Sequence, residues 1–293
     1  HVYTKRALGG TVSFICTWAI IFVYVAVCAF EAVALPSVLS NLFPALGNLP
    51  LYQINGSDVF LDMALVGAIT SLLIAWVNIR GVKLAAFIQT IVVGIILIAG
   101  GMLILGIGIK GETVNMQPLF VGGAGGVLAA MAMIPFLMTG FDVIPQAAEE
   151  INLPPKKIGI LLVASIVFAI SWYILIELSV AMILTEEQRS ESTFATMLAA
   201  ETAFGKNGGV FLLFAGIAGI LTSWNSFMIG GSRAIFAMAK DGMLPACFAN
   251  VHPKYKTPYN AILLIGILGA IAPFLGRKAL VWFVDGGSFS LMI

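Results

Sequence analysis

Pro135-Phe136-Leu137-Met138-Thr139-Gly140-Phe141-Asp142 is the stretch on which the reading of this chain turns. It lies inside an apolar segment running from about 127 to 148. Pro135 brings no backbone donor, and Gly140 tolerates non-helical dihedrals. Asp142 would cost roughly 2.5–3.5 kcal/mol at the centre of a bilayer. A plain lipid-facing helix is not built this way. The stretch predicts a helix that opens part-way through a membrane and lines a polar cavity, because irregular backbone survives at that depth only where protein or trapped water satisfies it.

The rest of the composition agrees with a membrane setting. Hydrophobic residues make up 60% of the chain and charged residues 10%, against about 45–50% and about 25% in ordinary soluble domains. The mean hydropathy is +1.04. A soluble core has no room for that much apolar surface, so the chain reads as an all-α polytopic membrane protein. The net charge of +1 says nothing about nucleic acid, but no basic run is present for a phosphate backbone, so no nucleic-acid partner is expected. Cys16, Cys28 and Cys247 are odd in number and scattered, which excludes a disulfide framework; the first two read as small hydrophobes. The chain opens on His1 and closes at Ile293, inside an apolar segment that starts at 279. That is short of the ~20 residues a span needs, so the chain reads as a fragment of a longer membrane protein.

Outward from the break, residues 1–293 form one transmembrane domain of about eight spans. Spans are expected at about 11–33, 63–79, 84–107, 127–150 (broken near 137–141), 158–184, 210–238, 259–275 and, truncated, 279–293. A loop with Pro36, Pro44, Pro50 and Asn55-Gly56-Ser57 follows the first span; as a glycan acceptor the tripeptide reads as a chance match. Residues 185–206 are expected to form an extracellular amphipathic segment, since Phe194, Met197, Leu198 and Phe204 approximate one helical face. On the N-terminal side the loops carry Lys5, Arg6, Arg80, Lys83, Lys156, Lys157, Arg233, Lys240, Lys254 and Lys256. The other side carries Lys110, Arg189, Lys206, Arg277 and Lys278. That bias sets the N-terminal end of a multi-pass cell-membrane protein in the cytoplasm.

Several motifs have competing readings. Gly106-Ile107-Gly108-Ile109-Lys110-Gly111 has the letters of a dinucleotide fingerprint but follows an apolar span, with no βαβ unit around it. Gly122-Gly123-Ala124-Gly125-Gly126 is either a close-packing stripe or a flexible loop. The histidines, His1 and His252, stand at membrane edges, so no metal site is expected. Among the acids, Glu31 and Asp285 stand near span ends, where snorkelling or solvation is expected. Glu177 is expected to pair within the bundle or to be protonated, and Asp142 belongs to the break. Thr222, Ser223, Asn225 and Ser226 cluster in one span with Trp224 and Phe227. Such a cluster packs against another helix or supplies oxygen ligands to an ion.

Three motifs together are similar to a known family. Phe-Leu-Met-Thr-Gly-Phe-Asp (136–142), with Ala-Glu-Glu-Ile-Asn-Leu-Pro (148–154) and Lys156-Lys157-Ile158, resembles the sixth span of amino acid–polyamine–organocation permeases. Gly231-Ser232-Arg233, then Ala237-Met238-Ala239-Lys240-Asp241-Gly242-Met243-Leu244-Pro245 and Thr257-Pro258, resembles the end of their eighth span and the loop after it. Asn78-Ile79-Arg80-Gly81-Val82-Lys83 resembles their fourth-to-fifth junction. The order and spacing match over essentially the whole chain.

The resemblance implies a leucine-transporter-like inverted-repeat helical bundle, incomplete here, with the chain covering the family's third to tenth spans. It implies a secondary transporter for a small amino acid or related amine, working by alternating access as a proton- or sodium-coupled symporter or an exchanger. It does not imply an enzyme, and no nucleophile-plus-base cluster stands at span depth. By position, Phe136, Leu137, Met138, Thr139, Gly140 and Phe141 would meet the substrate, whose amino group the freed carbonyls would receive. Phe227 aligns with an aromatic gate and Tyr24 with the pathway. Asp142 aligns with an acid of pH-sensitive gating, and Thr222 and Ser223 with positions that hold sodium in coupled relatives. Some proton-coupled relatives carry a lysine in the fifth span; Ile96 stands about there instead. No cofactor is implied beyond the coupling ion, Na+ or H+. The partners implied are the amino acid or amine and the lipid bilayer. A sensing membrane protein that binds an amino acid without net transport would need the same site, and is the alternative.

Overall fold

The computed structural model describes residues 2–54, 56–81, 83–120, 122–146 and 154–292. In order these form α1 (Val2–Leu39), a hairpin of β1 (Pro50–Ile54) and β2 (Ser57–Phe60), α2 (Leu61–Arg80), α3 (Lys83–Lys110), α4 (Gly123–Leu137), α5 (Val143–Gln146) and α6 (Pro155–Ile183). After these come α7 (Glu186–Glu191), α8 (Ala195–Phe204), α9 (Lys206–Lys240), α10 (Tyr259–Ile271) and α11 (Ala279–Leu291). Among the described residues, five segments are long and apolar enough to cross a membrane: Thr4–Leu39, Leu61–Arg80, Gln89–Lys110, Lys157–Ile183 and Lys206–Lys240. Gly123–Leu137, Tyr259–Leu275 and Ala279–Leu291 are apolar but shorter. The stretch 148–153 of the sixth-span motif, and Asn55, lie outside the described residues.

The chain divides into two compact units. The first comprises 1–83, 132–158 and 220–293; the second comprises 84–131 and 159–219. In the first, α1 packs against α2, α10 and α11. Small residues let α2 and α10 meet closely: Gly266 and Gly269 face Ala75 and Ser71, and the Ser71 hydroxyl donates to the Gly266 carbonyl at 2.8 Å.

α1 extends beyond the span expected at 11–33. It is kinked at Gly9 (φ 83°, ψ 176°) and runs on through Pro36 to Leu39. Pro36 cannot donate to the carbonyl of Ala32, and Gly67 of α2 comes up against that same carbonyl, where a Cβ would overlap it. The small residue thus lets α2 pack closely at the level of the proline. The loop that follows is partly sheet. β1 and β2 are antiparallel, with Gln53 opposite Asp58 and Gly56 at φ 73° in the turn. Tyr52 Oη donates to the Phe274 carbonyl, which ties the hairpin to the turn between α10 and α11.

The second unit is built on apolar packing. Leu103, Val180, Ile183, Leu184, Ala199 and Ala200 form its buried cluster, drawn from α3, α6, α8 and the residue after α6. Arg189 closes one end by donating to the carbonyls of Asn115, Ala181 and Leu184. The 185–206 segment is two short helices rather than one. Thr185 and Gln188 form a reciprocal capping box that starts α7, and extended Ser192 ends it. In α8 the deepest face is Ala199 and Ala200, while Phe194, Met197, Leu198 and Phe204 are half-buried.

Candidate functional site

α4 carries Pro135, ends at Leu137, and α5 begins at Val143. The chain bends back through Gly140, whose φ of 125° lies in a region that L side chains rarely adopt. The freed backbone is only partly satisfied. Met138 N–H donates to Ile134 O at 3.0 Å, and Thr139 N–H to Phe136 O at 3.2 Å. The Thr139 hydroxyl donates to Pro135 O at 3.1 Å, the carbonyl next to the helix break. Among the described residues, no donor reaches the carbonyls of Met138 and Thr139, and the amides of Phe141 and Asp142 reach no acceptor. The break thus presents both backbone poles within a few residues, electropositive amides and electronegative carbonyls. That is the complement of a zwitterion.

Asp142 holds the break in shape. Its Oδ1 accepts from the Gly140 amide at 3.0 Å, and its Oδ2 accepts from the Tyr24 hydroxyl of α1 at 2.5 Å. Tyr24 is fully buried. Its ring lies 5.4 Å from that of Phe227 on α9, tilted by 55°. A Cβ on Gly140 would stand 3.4 Å from Phe227 Cζ, so the bend lies directly against that ring. Phe136 is buried beside Phe30 (5.8 Å between ring centres) and presses on Gly287 of α11. The structure therefore brings Tyr24, Phe136, Gly140, Asp142 and Phe227 together within the first unit. Leu137 and Phe141 project away and are exposed, while Met138 and Thr139 are half-buried.

Thr222 and Ser223 are on α9, one turn before Phe227, and both are half-buried. The Ser223 side chain is hydrogen-bonded to the carboxyl of Glu31 on α1. Glu31 is 7% exposed and does not snorkel as its expected place near a span end implied. The reason is the extra length of α1: with the helix running to Leu39, Glu31 lies well inside it. One signal in the sequence pointed to this. Thr17, Tyr24, Cys28 and Glu31 recur at helical spacing, so Glu31 shares a face with Tyr24. Asn78 and Asn225 were also linked only by the structure, through a 2.8 Å side-chain bond. Asp285 and Glu177 are exposed, and Ile96 packs near Gly219 in the second unit. Among the described residues, no group of three or more His, Cys, Asp or Glu could hold a metal.

The family model for amino acid permeases matches residues 1–293. The chain belongs to the amino acid permease family. It is 28% identical to the methylthioribose transporter of Bacillus subtilis (strain 168), over 99% of this chain and 64% of that protein. It is 26% identical to the branched-chain amino acid permease BcaP of the same organism, over 92% of this chain and 59% of that protein. It is 25% identical to the vacuolar cationic amino acid transporter 4 of Arabidopsis thaliana, over 99% of this chain and 48% of that protein. The chain thus spans about half to two thirds of the length of these relatives. Membership of the family and the apolar helices make this a multi-pass helical membrane bundle. The family and these relatives are transporters rather than enzymes.

Proposed function

We propose that the protein carrying this chain is a secondary transporter for a small amino acid or related amine, working by alternating access around the break at Leu137–Val143. The observation that carries this reading is the bend at Gly140, locked by Asp142 to Tyr24 and leaving two carbonyls and two amides without partners among the described residues. A substrate with an ammonium and a carboxylate supplies what that backbone lacks. Phe136 and Phe227 then border the site with apolar surface, and Phe227 moves with α9. Rocking of one helix set past another changes which side of the membrane reaches the bend. The names of the relatives, which speak of branched-chain and cationic amino acids and of methylthioribose, support a small polar organic substrate while leaving its charge to experiment.

Two carboxyls serve the coupling step in this reading. Asp142 loses its hold on the break if it takes a proton, because Tyr24 and Gly140 both donate to its oxygens. Glu31 with Ser223 offers either a second proton carrier or, with Thr222, an oxygen-rich place for sodium. The loop charges favour an N-terminal end on the cytoplasmic side of a cell membrane, with the β1–β2 hairpin on the opposite face.

The experiment is uptake of a labelled amino acid mixture by the full natural protein in proteoliposomes, under a sodium gradient, a proton gradient, or internal amino acids alone. Accumulation under sodium that fails in Glu31→Gln and Ser223→Ala assigns the ion to that pair. Accumulation under a proton gradient that fails in Asp142→Asn assigns the proton to the break. Movement only against internal substrate makes the protein an exchanger. Saturable binding with no movement under any condition would defeat the transport reading and favour amino acid sensing.

A further inference from the structure

A second cavity lies at the hairpin end of the first unit, away from the break. It has a volume of about 360 Å³ and is bounded by the end of α1, the hairpin, the start of α2 and the turn between α10 and α11. Its apolar lining includes Val33, Pro36, Pro273, Phe60 and Met63, of which Phe60 and Met63 are half-buried and the others buried. Its rim carries both signs of charge, Asp58 from β2 and Arg277 from the turn before α11. Asp58 Oδ1 accepts from Gln53 at 2.7 Å. Among the described residues its Oδ2 has no partner, so half of a well-placed carboxylate remains open. The walls are fixed from several sides. Tyr52 holds the hairpin to Phe274, Val59 is buried beneath it, and the Asp62 carboxylate takes the amides of Gly47 and Asn48 at 2.7 and 3.2 Å.

The volume is in the range of small-molecule sites, which pair an apolar wall with a few fixed polar groups. A lone anion would meet Asp58, and a lone cation would meet Arg277. A molecule carrying both charges on an aliphatic body satisfies the rim and lies against the apolar lining. We propose that this cleft is a second small-molecule site, taking an α-amino acid with an aliphatic side chain. The carboxylate of the ligand lies on Arg277, its ammonium on Asp58, and its side chain on Phe60 and Met63. Occupancy joins the hairpin to the turn before α11 and slows the opening of both. The proposal is independent of the transport reading, since none of these residues belongs to the break.

The test is hydrogen–deuterium exchange on the full natural protein, with L-leucine as the probe, followed in peptides covering 50–60 and 273–278. Leucine is expected to slow exchange in both peptides in a saturable way. The one-charge analogues 4-methylpentanoate and 3-methylbutylamine, at equal concentration, are expected to leave it unchanged. Asp58→Asn and Arg277→Gln should each raise the half-saturating leucine concentration by about tenfold, the usual weight of one hydrogen bond to a charged group. Arg277→Lys should raise it less. Gly140→Val, which alters the break, should leave the effect intact. No protection by leucine, equal protection by either analogue, or insensitivity to both rim variants would overturn the proposal. Loss of protection in Gly140→Val would also overturn it, by showing that the effect is relayed from the break.

Discussion

The two units solve the same problem, burial of helices in a membrane protein, with different chemistry. Among the described residues the first unit buries Ser13, Thr17, Glu31, Ser37, Ser71, Asn78, Ser232 and Ser288, whereas the second buries Ser179. The second unit is held by an apolar cluster around Leu103 and Leu184, with its polar work done at an end by Arg189. The first unit keeps hydroxyls, an amide and a carboxyl inside, and it is the one that holds the bent helix. Polarity at that depth is costly unless partnered. Its concentration in one unit sets the part of the chain that holds the bent helix apart from the part held by apolar packing.

The sharpest way to break this comparison is Gly140→Val. A β-branched residue at a φ of 125° stores about 1–3 kcal/mol of strain, and its Cβ meets Phe227. Uptake by the full natural protein is expected to fall by about a hundredfold, while its melting temperature moves by only a few degrees. Normal uptake would mean that the bend is not the substrate site, and the first unit would lose its functional distinction.

The second unit should respond in the opposite way. Leu103→Ala empties part of its buried cluster and is expected to cost about 2 kcal/mol of stability, the low end of such truncations in soluble cores. Thermal denaturation in detergent measures this. The apparent substrate affinity of the surviving folded protein should stay within about twofold of the parent. A large change in affinity would show that the second unit shapes the site as well.

Tyr24→Phe asks how much one partner of the half-buried Asp142 matters. It deletes the hydroxyl that donates to Asp142 and leaves the ring against Phe227. Hydrogen bonds to charged groups are worth about 1.5–3 kcal/mol, so uptake should fall by about tenfold. The two side chains act through one bond. Tyr24→Phe combined with Asp142→Asn should therefore be little worse than Asp142→Asn alone, a non-additivity that a double-mutant cycle on initial uptake rates reads directly.

These contrasts also explain what was legible in the sequence. The break could be found because proline, glycine and an acid each violate a lipid-facing helix for a different reason, and the three fall within eight residues. The long apolar helices were legible from hydropathy. Glu31 reads as near a span end because Pro36 reads as loop, whereas α1 runs through that proline to Leu39 and carries Glu31 well inside the helix. The hairpin was missed because Leu51 and Tyr52 belong to a short exposed strand, whose alternation is hard to tell from loop. The cavity with Asp58 and Arg277 had no local signal. Those residues stand 219 positions apart in the chain, and it is the bond from Tyr52 to Phe274 that brings their segments together.

The smallest expected effect tests whether burial, rather than polarity itself, is what distinguishes the first unit. Lys5 and Asp241 form a salt bridge of 2.7 Å in that unit, with side chains 43% and 35% exposed. Water and salt screen such a pair, and both side chains pay entropy to meet, so Lys5→Ala should cost under about 1 kcal/mol. The small loss in melting temperature should vanish in high salt, and uptake should be unchanged. A loss comparable with that of Tyr24→Phe would show that a half-exposed ion pair weighs as much as the part-buried hydrogen bond from Tyr24 to Asp142. The contrast between the units would then rest on where charge is placed rather than on its burial.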